Sequence, residues 1–222
     1  MFESEDASPR RGFLARLSAA AVALSGLTLA APATPVYAAE PDDAWLNALT
    51  GKHRTAFDVQ THNNGTALMQ AKNLLDAWKT EYHVEPPVVN MVLSIRGTAI
   101  PIVLNDLVWA RYKLGEQYGI IDPATKAPAV RNPFIAANLQ PQGLVSAEQT
   151  VEALQTRGVM FLVCRNTIGG ATRKLVAAGL GTADEVRATL TGGIIGRVTV
   201  VPAMVVALTQ MQARGVAYVF AG

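Results

Sequence analysis

Three nearly continuous apolar runs, residues 88–95, 159–164 and 198–201, constrain the fold of these 222 residues more than any other feature. A strand with one wet face alternates apolar and polar side chains. An unbroken run instead reads as a strand buried on both faces, the usual state inside a parallel sheet. The first run, Val88-Val89-Asn90-Met91-Val92-Leu93-Ser94-Ile95, follows Pro86-Pro87 and is broken by Arg96-Gly97.

Helical patterns fill the intervals. Leu68, Ala71, Leu75, Trp78 and Tyr82 recur at three- and four-residue steps, which predicts an amphipathic helix that Pro86-Pro87 stops. A second helical stretch runs through Leu104, Leu107, Val108, Arg111 and Leu114. Ser146 as N-cap and Gln149 at the capping-box position start a third, which reaches about Arg157 and ends at Gly158. Arg165-Asn166-Thr167 leads into another helical segment, and Thr182-Ala183-Asp184-Glu185 starts one more. Pro202 stands at the first turn of a helix reaching Arg214, which Gly215 caps. Two short strands complete the pattern: 56–60, closed by the turn His62-Asn63-Asn64-Gly65, and 216–220 at the end of the chain. Five strands alternating with helices predict an α/β domain with a mostly parallel sheet and helices on both faces. Residues 119–142 carry Pro123, Pro128, Pro133 and Pro141 without periodicity, and read as a long loop serving function or subunit contact.

Composition narrows the function classes. Half of the residues are hydrophobic and 16% are charged, which excludes intrinsic disorder. A formal charge of +2, from 19 basic and 17 acidic residues, argues against a nucleic-acid protein. The single cysteine excludes an internal disulfide framework.

The first 38 residues have the anatomy of an export signal. Arg10-Arg11 is followed by Phe13-Leu14, a mildly apolar run, and the small residues of Val36-Tyr37-Ala38-Ala39. The arginine pair gives it the look of a twin-arginine signal, and about 15 weakly apolar residues fall short of the roughly 20 that span a bilayer. This places the mature protein in the periplasm with no stable membrane span. It divides the chain into a signal at 1–38, an extension at 39–54 and an α/β domain at 55–222.

In an open parallel sheet, ligands bind beyond the carboxyl ends of the strands. That rule brings His62, Arg96-Gly97, Cys164-Arg165-Asn166 and Pro202 to one rim. Cys164 lies where a strand meets a helix, and backbone N–H groups at a helix start favour negative charge, the form in which sulfur is a nucleophile. Free cysteines are also often small buried hydrophobes. His53, His62 and His83 lack the spacing of a metal motif, and no phosphate loop, dinucleotide fingerprint or nucleophile elbow occurs, so neither metal nor cofactor is expected.

The stretch Gly158-Val159-Met160-Phe161-Leu162-Val163-Cys164-Arg165-Asn166-Thr167, the later Val198-Thr199-Val200-Val201-Pro202-Ala203, and the closing Leu208-Thr209-Gln210-Met211-Gln212-Ala213-Arg214-Gly215-Val216-Ala217-Tyr218 resemble the DsrE/DsrF-like family. In that family one strand ends in V-C-x-N-T, a later one ends in V-P, and the chain closes with L-Q-x-x-G-x-A-Y. The likeness spans roughly residues 55–222, with a lengthened segment at 168–197. The resemblance implies a three-layer, flavodoxin-like sheet of five strands, homo-oligomers (trimers or hexamers), and sulfur carried as a persulfide on a cysteine, here Cys164. It sets Arg165, Asn166 and Thr167 beside that cysteine. Arg96 and His62 come from the geometric rule instead.

Two functions follow. One is a periplasmic sulfur carrier or sulfurtransferase that loads Cys164 from a small anionic sulfur compound and passes the sulfur to an acceptor thiol protein. The absence of a second cysteine makes that partner compulsory. The alternative is a non-enzymatic oligomeric binding or assembly protein with a buried structural cysteine.

Overall fold

A computed structural model describes residues 43–222; the expected export signal lies outside the described residues. The elements are α1 (Ala44–Asn47), β1 (His53–Val59), α2 (Thr66–Tyr82), β2 (Val89–Ile95), α3 (Asp106–Tyr112), α4 (Leu114–Tyr118), α5 (Val151–Thr156), β3 (Met160–Cys164), α6 (Arg165–Ala177), α7 (Ala183–Gly192), β4 (Val198–Val201), α8 (Met204–Ala213) and β5 (Ala217–Phe220). Each apolar run is a strand, and the five strands pair in parallel in the order β4-β3-β2-β1-β5. The result is a three-layer, flavodoxin-like α/β fold.

Strand order explains how the layers divide. From β1 to β4 the chain steps in one direction across the sheet, so right-handed crossovers put α2 to α7 on one face. The return from β4 to β5 runs the opposite way and puts α8 on the other. Side chains alternate along each strand accordingly. Phe57, Leu93, Phe161 and Val163 pack with Leu68, Ile168 and Leu190 on the crowded face. Ala56, Val92, Leu162 and Cys164 pack with Trp45, Met204 and Leu208 on the α8 face. The stretch read as an extension at 39–54 contributes to this second core: Trp45, Leu46 and Leu49 are buried in it, and β1 already begins at His53.

Several expected helices are shorter than their periodicity. The stretch through Leu104 and Leu114 follows a 3-10 segment, Gly97–Val103, starts with Leu104 still extended, and resolves into α3 and α4 on either side of the left-handed Lys113. The helix expected from Ser146 breaks at Thr150, which is extended (φ −64°, ψ 155°) and caps α5 by accepting from the Ala153 N–H. Ser146 and Gln149 do pair, with the Ser146 N–H 2.8 Å from Gln149 Oε1. Pro202 stands two residues before α8, with Ala203 as its N-cap. Gly158 and Gly215, at φ +86° and +75°, end α5 and α8 in the left-handed conformation that glycine tolerates.

The proline-rich stretch is pinned by one side chain. Asn132 is fully buried; its Nδ2 donates to the carbonyls of Pro101, Ile102 and Leu104 at 3.3, 3.1 and 2.7 Å, and its Oδ1 accepts from the Phe134 N–H at 2.8 Å. Phe134 then fills the core beside Trp109, with ring centroids 6.4 Å apart.

Candidate functional site

Cys164 is the last residue of β3 and the N-cap of α6, and its side chain points to the α8 face. It makes no capping bond to α6; instead Sγ accepts the backbone N–H of Met204, the first residue of α8, at 3.3 Å. The sulfur therefore sits where two helices of 13 and 10 residues begin, facing the positive ends of both. It is only 5% exposed.

Arg96 follows β2 and falls level with Cys164, one position past the Ile95–Val163 register pair. Its guanidinium forks onto Asp58, Nε to Oδ1 at 2.7 Å and Nη2 to Oδ2 at 2.8 Å. Asp58 is buried in β1 and also accepts from Tyr218 Oη at 2.9 Å and Gln60 Nε2 at 3.2 Å. Burial pushes the Asp58 carboxyl up, but the hydrogen bonds from Arg96, Tyr218 and Gln60 and the charge of Arg96 outweigh it, and the group lies below the ordinary carboxylate value. The same bond to Asp58 raises Arg96, with smaller contributions from the nearby Tyr218 and Cys164. Arg96 is thus a fixed cation beside the sulfur.

A cleft of about 420 Å³ opens over this point. Gly97 and Thr98 form one wall, held by the Gly97 N–H to Thr167 Oγ1 at 3.1 Å and the Thr98 N–H to the Gln60 carbonyl at 2.8 Å. Gly97 has φ +59°, and a Cβ there would meet the Gln60 carbonyl oxygen at 2.5 Å, so this close crossing requires glycine. Along α6, Thr167, Gly170, Ala171 and Lys174 fall on one helical face and line the cleft, and Tyr118 and Lys174 close its far end with the ammonium 5.1 Å from the ring centroid. Burial pushes the Tyr118 phenol up to about 12, which keeps it neutral. Met204 and Val205 of α8 complete the lining.

No known family matches this chain.

No curated protein matches it either. Among solved structures it is similar to a Methanobacterium thermoautotrophicum protein of unknown function, at 15% identity over 76% of this chain and 98% of that one, with a TM-score of 0.40. That likeness carries no functional argument.

Of the residues expected at the rim, Cys164, Arg96, Asn166 and Thr167 line the cleft, Asn166 from an exposed position at its mouth. Arg165 is exposed and does not line it, because the first turn of α6 turns that side chain outward. His62 does not line it either. Its Nδ1 accepts from the Asn64 N–H at 3.3 Å and its Nε2 lies 3.0 Å from the Tyr118 carbonyl, the pattern of a neutral ring protonated on Nε2. Burial lowers its pKa, partly offset by the bond to Tyr118. His62 therefore holds the Tyr118 wall from behind.

Three residues escaped the sequence reading: Asp58, Tyr118 and Lys174. A lone acid inside an apolar strand was a signal for the first. The spacing of 167, 170, 171 and 174 was a signal for the last, once α6 was known to flank the site. Among the described residues no three His, Cys, Asp or Glu side chains gather as metal ligands, and no helix is long and apolar enough to cross a membrane.

Proposed function

We propose that this protein is an exported sulfur carrier of the DsrE/DsrF-like kind, holding sulfane sulfur as a persulfide on Cys164. The observation that carries this reading is the setting of Sγ: at the base of a cleft, on the Met204 N–H at 3.3 Å, with Arg96 fixed beside it. With thiosulfate as donor, the Cys164 thiolate attacks the outer sulfur, an S–S bond forms, and the old S–S bond breaks with its electron pair leaving on sulfite. An acceptor thiolate on a partner protein then attacks the outer sulfur of the persulfide and releases the Cys164 thiolate. Both steps exchange one sulfur–sulfur bond for another and need no external oxidant. Arg96, Lys174 and the backbone N–H groups draw an anionic donor toward the sulfur.

Copies of the chain associate through the β5 side in this reading. Tyr218, Val219 and Phe220 are 43%, 39% and 59% exposed on an edge strand, a surface that soluble proteins ordinarily cover or charge.

The test is intact-mass spectrometry after exposure to thiosulfate or polysulfide, with Cys164→Ser as control. A reducible gain of 32 Da steps, about one per sulfur, on the native protein alone supports the carrier. The 5% exposure of Cys164 and its apolar neighbours Leu162 and Met204 favour a second reading, a structural cysteine in a non-enzymatic binding or assembly protein. No adduct, together with slow alkylation of the native thiol, selects that one.

A further inference from the structure

The cleft is much larger than an inorganic anion, and its charges are spread along it. Lys174 lies ten residues after Cys164 on α6, which at 1.5 Å per residue is about 15 Å along the axis. Side chains on a helix lean toward its N-terminus, so the ammonium reaches back to on the order of 10 Å from the sulfur. Lys174 has no carboxylate partner among the described residues, and no acidic side chain lines the cleft. It is a cation without a counter-charge at the end of the cleft remote from the thiol.

The floor between the two is kept low without any packing reason. Gly169 and Gly170 sit in the middle of α6, where glycine weakens a helix. A Cβ at Gly170 would meet only the Arg173 guanidinium, at 3.9 Å, so the fold has room for a larger residue. Gly170 lines the cleft and Gly169 does not.

Resting on the sulfur-carrier reading, we infer that the donor is an elongated organic persulfide bearing a carboxylate about two helical turns from its reactive sulfur, with the carboxylate on Lys174 and the chain passing over Gly170. A five-atom anion such as thiosulfate reaches Arg96 but cannot span to Lys174. The loading step is attack of the Cys164 thiolate on the outer sulfur of the organic persulfide. A new S–S bond forms, the original one breaks, and the electron pair departs with the organic thiolate.

The experiment compares two donors, glutathione persulfide and thiosulfate, by the initial rate of sulfur loading on Cys164 at subsaturating concentration. Lys174→Gln and Gly170→Val should each lower the rate ratio of glutathione persulfide to thiosulfate about tenfold, while Gly169→Ala keeps it within twofold of the native value. In parallel, unreactive S-methylglutathione should slow iodoacetamide alkylation of Cys164 in the native protein and fail to do so in Lys174→Gln. Loading by thiosulfate with a ratio that neither variant moves overturns the inference and leaves the carrier intact. Protection by S-methylglutathione that depends on Lys174, with no sulfur loaded from either donor, does the reverse: the site for an elongated anionic thiol stands and the carrier falls. Absence of any protection in the native protein overturns the inference.

Discussion

Arg96 holds Asp58 through two parallel hydrogen bonds of 2.7 and 2.8 Å across 38 residues of sequence, and this pair decides where the cation of the cleft stands. A flexible arginine on a strand end would sample solvent. Here the buried carboxylate, itself gripped by Tyr218 and Gln60, fixes the guanidinium on the α8 side of the sheet, level with Cys164.

The pair gives a pH signature. Asp58 is held below its ordinary value, so its contribution to stability is present above the unfolded-state pKa of about 3.9 and is lost as the pH falls through the lower folded-state value. Arg96→Met leaves a carboxylate 1% exposed without its cation and should cost about 2–3 kcal/mol at pH 7. Burial then pushes Asp58 up, it protonates more readily, and the cost should shrink toward pH 4.5. Urea denaturation at both pH values measures this; an equal cost at both would remove Asp58 from the account.

Arg96 should also select reagents by charge. Iodoacetate, an anion, should gain on neutral iodoacetamide in alkylating native Cys164, and Arg96→Met should lower that rate ratio about fivefold, the effect of roughly 1 kcal/mol of Coulomb attraction at a partly exposed site. The ratio cancels changes in exposure of the thiol that affect both reagents alike.

His62 makes a separate pH effect with a known sign. Its folded-state pKa is lowered, so the neutral ring is preferred in the native state and stability falls as the pH drops below the unfolded value of about 6.5. Protonation puts a proton on Nδ1, where the Asn64 N–H already points. His62→Gln should flatten the stability profile between pH 7 and 5 while costing about 1 kcal/mol at pH 7. A profile that keeps its slope in the variant assigns the effect elsewhere.

Asn132→Ala should be the most damaging single change in the proline-rich stretch. It takes the shared amide donor from the carbonyls of Ile102 and Leu104 in a buried setting, while that of Pro101 keeps the Trp109 indole N–H at 3.0 Å, and it should cost about 3 kcal/mol, read as a drop in Tm or in the urea midpoint. Asp122→Ala, whose Oδ1 bonds only to exposed loop amides, should cost under about 0.5 kcal/mol.

Association through β5 is checked by Phe220→Lys. Phe220 is 59% exposed on the edge strand, and a charge there should shift light-scattering mass toward the monomer with little loss of Tm. A native protein that is already monomeric at tens of micromolar would remove the β5 contact.

Strands and their order of appearance were legible in the sequence because burial on both faces leaves no polar residue to interrupt β2 or β3 for long, while β4, equally apolar, lies half-buried at the sheet edge. Helix starts were legible where a cap announces them, as at Thr182 and Ser146. Helix lengths were not. Periodicity through Leu104 and Leu114 continues across the extended Leu104 and the left-handed Lys113, because apolar spacing records which face is buried and not whether the backbone stays helical.

The candidate site divides in the same way. The sequence by itself determined that Cys164, Arg96 and Asn166 end or follow strands, and in a parallel sheet all such ends share one edge, so their convergence follows from the strand pattern alone. Only the tertiary structure decided which of them face the cleft. Arg165 differs from Cys164 by one residue and points away, since a helix turns about 100° per residue. His62 reaches the rim but spends both ring nitrogens on backbone. Asp58 takes its partners from 38 and 160 residues away, and Tyr118 meets Lys174 across 56. Such pairs are set by how strands stack into a sheet and helices pack over it, and no local pattern in the chain encodes them.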